Sequence, residues 1–140
     1  NNPYNQDNET SWIDWTRRDQ WTGLEAFVRR LIAFRARHPV LTHSEWWGSG
    51  VEWFGVTGGP DLAEHSRSIA WHLPGLYVMA NMWWEPLDFV VQAPGPWRPV
   101  IDTADESGFV VDPADVAGHV RVSPRSLVVL GFPGSDPADA

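Results

Sequence analysis

From Trp21 onward the apolar positions follow first one period and then another. Leu24, Phe27, Val28, Leu31 and Ile32 fall at i, i+3, i+4, i+7 and i+8, while Glu25, Arg29, Arg30, Ala33 and Arg37 lie off that stripe. The spacing predicts an amphipathic helix over about 22–38. Thr22-x-x-Glu25 reads as a capping box at its start, and Arg35, Arg37 and His38 place cations in its last turn, where the helix dipole favours them. Pro39 ends it.

Beyond Pro39 the helical period is lost. Short runs rich in branched and aromatic residues follow, at about 51–56, 67–73, 76–82, 87–92, 97–101, 109–111, 119–122 and 126–132, separated by Gly, Pro and Asp. Eight short strands imply a mainly β domain built as an antiparallel sandwich or barrel-like sheet. SIAWHL and HVRV alternate, as a strand with one buried face requires, whereas LYVMANM and SLVVLGF are nearly continuous and suit central strands. Upstream of the helix, NNPYNQDNETSWIDW is polar and Asn-rich and predicts a loop running into a short helical turn capped by Thr10 or Ser11, with Asp14 behind it. The tail GSDPADA, residues 134–140, reads as disordered.

Composition narrows the function classes. The 140 residues are enough for one domain, and their 43% hydrophobic content contains no apolar run long enough for a membrane helix. A net charge of −8 sets the overall field against polyphosphates and anionic lipid, so neither nucleic acid nor a membrane is expected as a partner. The absence of cysteine removes disulfides, thiolate nucleophiles and sulfur-ligated metals and fits a reducing compartment, with the cytoplasm expected. Asn1 is not an initiator methionine, so the chain reads as a processed product or a piece of something longer.

Few residues carry the pattern of a catalytic site. The five histidines (His38, His43, His65, His72, His119) form no His-x-His or His-Glu-x-x-His pair, so no metal site and no cofactor are expected. There is no Gly-x-Ser-x-Gly elbow and no phosphate-cradling glycine loop. Most carboxylates stand at turn positions, and DTADESG lacks the spacing of a calcium loop. What stands out is ten tryptophans. Trp46-Trp47 and Trp83-Trp84 are adjacent pairs, and in extended backbone neighbours point to opposite faces, so one of each pair would be left to meet a neighbour, another domain or a sugar ring.

NNPYNQDNETSWIDW resembles the segment after the eighth barrel strand in isoamylase-type debranching enzymes of glycoside hydrolase family 13, with Asn5 where that family usually has Cys. LEAFVRRLIAFRARHPVL is similar to their last barrel helix. PDLAEHSRSIAWHL is similar to a further family stretch, with Leu62 replacing Trp, and LYVMANMWWEPLDFVV, WRPVIDTA and PRSLVVL continue the likeness in order.

The resemblance implies that residues 1–40 are the terminal loop and last helix of a (β/α)8 barrel, and that 45–133 form a C-terminal β-sandwich of the α-amylase type. It implies hydrolysis of α-1,6 branch linkages in the parent enzyme. It also implies that the nucleophile, the acid/base and the stabilising Asp lie on earlier strands, so no catalytic residue is expected here. Tyr4, Asp7, Asn8 and Trp12 are the candidates for lining a sugar subsite, and Trp83 and Trp84 for a glycan or domain contact.

Two functions stand open at this point: an accessory region that completes and stabilises a debranching enzyme, and an independent α-glucan-binding module that uses exposed tryptophans. The expected partners are the catalytic barrel of the parent, an α-glucan held weakly at most, and a second copy of the chain through the helix at 22–38.

Overall fold

A computed structural model describes residues 3–133; the predicted tail at 134–140 lies outside the described residues. The single α-helix among these residues, α1 (Thr22–Arg37), precedes seven strands: β1 (Glu52–Phe54), β2 (Ser68–Leu73), β3 (Leu76–Asn81), β4 (Leu87–Val90), β5 (Arg98–Asp102), β6 (His119–Val122) and β7 (Ser126–Gly131). Five of them form an antiparallel sheet in the order β1-β2-β3-β7-β5, and β4 pairs with β6 in a separate antiparallel ribbon.

Strand period decides what each face of the sheet meets. Ala70, Tyr77, Met79, Val128 and Leu130 point one way and pack with Phe89 of β4 and Val122 of β6, so the ribbon closes a sandwich over that face. Leu76, Val78, Val129 and Ile101 point the other way, into a second apolar layer that holds Phe34 of α1, with Phe27 and Leu31 beside it. Every residue of β3 is buried, which explains its continuous apolar run: it is flanked by β2 and β7 and covered on both faces. Pro99 is tolerated because β5 is an edge strand, and the pairing with β7 shifts there by a bulge.

Three local expectations are corrected. The run at 109–111 is not a strand; Phe109 makes one isolated bridge to Ile101 and spends its ring on the helix layer. The turn before α1 is a 3-10 helix, Trp15–Trp21, capped by Asp14, whose carboxylate accepts from the Thr16 N–H, and not by Thr10 or Ser11. That turn runs straight into α1, so the N-cap position is Trp21 without a side-chain cap, and Glu25 turns to Arg18 and Arg29 in place of a capping box. The C-terminus is as expected: His38 is extended, as a residue before proline tends to be.

The apolar stripe of α1 is divided. Phe27, Leu31 and Phe34 face the sheet, with Phe34 only 6% exposed. Trp21, Leu24, Val28 and Ile32, which lie roughly 90° further round the axis at about 100° per residue, are exposed. Gly108 shows how closely the docked face is held. Its φ is +67°, and a Cβ there would stand 2.3 Å from the Phe27 ring, so only glycine lets the 103–108 loop lie on the helix.

Candidate functional site

The predicted subsite residues occupy a turn-rich loop ahead of the 3-10 helix. The Trp12 indole N–H donates to the Asp7 carboxylate at 2.7 Å. Asn8 organises the turn: its side-chain oxygen accepts from the Thr10 N–H at 3.0 Å, and its carbonyl accepts from the N–H groups of Ser11 and Trp12. Asp7, Asn8 and Trp12 are thus brought together by hydrogen bonding. Tyr4 stands 80% exposed at φ +47°, followed by Asn5 at +61°, so the chain reverses through two left-handed residues before reaching them. What these residues do locally is cap turns.

Trp83 and Trp84 lie in a bend and Trp46 and Trp47 in irregular backbone, both pairs outside any strand, so the opposite-face rule does not govern them. Trp83 and Trp84 fold onto one another with ring centroids 3.8 Å apart, and Trp84 remains 63% exposed. Asn81 fixes that bend and carried no sign in the sequence, where it sits inside an apolar run. Its amide NH2 donates to the carbonyls of Glu85, Val122 and Ser123, and its oxygen accepts from the Trp83 N–H at 2.9 Å. Fully buried and fully partnered, it ties the β3–β4 bend to the end of β6.

Trp46 and Trp47, by contrast, diverge. The Trp47 indole N–H donates to the Val40 carbonyl at 2.8 Å and its ring packs on the helix-side core, whereas Trp46 is 87% exposed.

Several of the acidic side chains serve structure. Glu52 pairs with His72, Asp88 with Arg121 and Asp115 with Arg98 across strands and loops. Asp61, Asp102 and Asp105 each accept a backbone N–H two residues on. Hydrogen bonds from the Ser107 side chain and backbone hold the Asp105 carboxyl below the usual range, and those from Arg18 and then Arg29 do the same for Glu25. A cleft of about 600 Å³ between α1 and β5 is bordered by Arg30, Arg37 and Arg98; Arg30 lies over the Phe109 ring at 4.0 Å and Arg98 is engaged by Asp115. No helix among the described residues is long and apolar enough to cross a membrane.

A helix-backed antiparallel sandwich of this topology is the fold of a pullulanase-type β-domain. It superposes on part of pullulanase type I from Bacillus subtilis str. 168, solved with maltose, with a TM-score of 0.65 at 22% identity, over 85% of this chain and 17% of that one. No protein-family model matches the chain. In sequence it is 35% identical to a glycogen debranching enzyme of Cronobacter sakazakii over 79% of its own length, and 30% identical to an isoamylase of Pseudomonas amyloderamosa over 96%. The chain is therefore homologous, over most of its length, with the isoamylase-type debranching enzymes of glycoside hydrolase family 13. It spans 18% and 19% of the length of those two relatives.

Proposed function

We propose that this chain is the C-terminal accessory region of an enzyme that hydrolyses α-1,6 branch linkages of glycogen or a related α-glucan, and that its task is to complete and stabilise the catalytic barrel. The observation that carries this is the outer face of α1. Trp21, Leu24, Val28 and Ile32 form an exposed apolar band on an ordered helix whose other face is already docked, in a chain that spans less than a fifth of its relatives. Exposed apolar surface of that kind marks an interface. The barrel of the parent is the partner that fits, because the same helix resembles the last helix of such a barrel.

Retaining glycosidases need two carboxyl groups about 5–5.5 Å apart across the scissile bond. Asp61, Asp102 and Asp105 are engaged in turn caps and Glu52, Asp88 and Asp115 in ion pairs, which supports placing catalysis elsewhere in the parent. In the assembled enzyme the loop bearing Tyr4, Asp7, Asn8 and Trp12 lines the edge of a sugar subsite. The lack of cysteine suits a cytoplasmic setting.

The test is reducing-sugar release from pullulan and glycogen, comparing the isolated chain with the full-length protein that contains it. The full-length protein is active and the isolated chain is not. Turnover by the isolated chain that disappears when one of its acidic residues becomes an amide would overturn the proposal.

A further inference from the structure

The loop between α1 and β1 holds a shallow hollow of about 250 Å³, bordered by Val40, His43, Glu45, Trp46, Gly50 and Pro74. Two features set it apart from the apolar band on α1. First, its wall is mixed. The Trp46 indole presents a flat face at 87% exposure, and the exposed His43 and Glu45 side chains flank it. None of the three side chains makes a hydrogen bond or ion pair with another described residue. Second, its floor is fixed. Trp47, next in sequence, is tied to the Val40 carbonyl and packed into the helix-side core, and the Gly48–Gly50 3-10 turn follows directly, so Trp46 projects from an anchored backbone.

An indole face beside uncommitted donors and acceptors is the chemistry that recognises a pyranose. The C–H face of the sugar covers the ring while its hydroxyl groups reach the polar side chains. A purely apolar protein partner would leave His43 and Glu45 desolvated without partners, at a cost. The volume lies just below the ~300–1,000 Å³ typical of small-molecule pockets, so the hollow fits one sugar residue of a longer chain.

We infer that Trp46, with His43 and Glu45, forms a surface site that holds a single glucosyl unit of an α-glucan, apart from the subsite loop at Tyr4–Trp12. The inference rests on the reading that the parent enzyme acts on α-glucan. Trp84 is the other exposed indole of an adjacent pair, but its ring is stacked on Trp83. One contact of this size binds a short oligosaccharide weakly. On a polysaccharide, where neighbouring units rebind at high local concentration, it becomes measurable.

The experiment is native electrophoresis of the isolated chain in gels with and without glycogen, joined to the indole N–H signals in a 15N–1H spectrum as maltoheptaose is added. Glycogen retards the unaltered chain. Trp46→Ala weakens the apparent affinity about tenfold, the equivalent of about 1.4 kcal/mol, while Trp46→Phe keeps most of it and Trp84→Ala changes nothing. The Trp46 indole signal moves with the sugar. Retardation that survives Trp46→Ala, or no retardation together with an unmoved Trp46 signal, overturns the site. Either result leaves the accessory role standing, because that role is read from the activity of the full-length protein and involves no glucan contact at Trp46.

Discussion

Phe34 is the side chain on which the docking of α1 turns. It is 6% exposed, with its ring 4.0 Å from the His38 ring and 6.4 Å from that of Phe109, so it bridges helix, helix end and the 103–109 segment. Phe34→Ala should cost about 3–5 kcal/mol, read as a lower denaturant midpoint at unchanged slope. The periodic stripe drawn from Leu24 misses this residue. Phe34 lies seven residues after Phe27, a spacing that marks the same helix face, so the signal was present but hidden by the competing band at Leu24, Val28 and Ile32.

Asn81 was not legible at all, since nothing in an apolar run tells a buried amide with four partners from an exposed one. Tyr77 gives a titration. Burial pushes its phenol above the usual tyrosine range, so the native state holds the proton more tightly than the unfolded chain. Its contribution to stability is complete below about pH 10 and is lost as pH rises past that value toward the folded pKa. In a Tyr4→Phe background only one tyrosine remains, and tyrosinate absorbance should rise together with loss of the native near-ultraviolet signal.

At the scale of elements, α1 carries two apolar bands with different fates. The docked band joins the sheet layer, and the outer band of Trp21, Leu24, Val28 and Ile32 stays exposed in the isolated chain. Exposed apolar surface of this kind associates where no partner is present. The isolated chain should therefore form dimers or larger species as its concentration rises, by light scattering, and Val28→Glu should return it to monomer. Because Val28 touches water and not the core, that substitution should shift the chain's own stability by no more than about 0.5 kcal/mol.

The helix and the strands were readable because period and proline punctuation report burial directly. The division of the stripe was not, because one-dimensional spacing does not say which neighbour a face will meet. The same reason accounts for 109–111, where an apolar run takes part in the helix layer as a loop. Likewise, the pairing of Trp83 with Trp84 depends on a bend that β-propensity does not announce.

For the whole molecule, the strand sequence pointed to an antiparallel domain, while the sheet order β1-β2-β3-β7-β5 and the separate β4–β6 ribbon came only with long-range pairing. The ribbon closes one face of the large sheet and α1 closes part of the other, so the outer side of α1 is left as an exposed apolar surface, the one proposed above to meet the barrel. The direct measurement is thermal unfolding of the double variant Val28→Glu, Ile32→Glu, made both in the isolated chain and in the full-length protein. At a concentration low enough for the unaltered isolated chain to be monomeric, its midpoint should be the same with and without the two substitutions. In the full-length protein the account predicts a lower midpoint and lower debranching activity, because two charges are then buried against the barrel at a cost of several kcal/mol. Equal midpoints for variant and unaltered protein in the full-length form would contradict it.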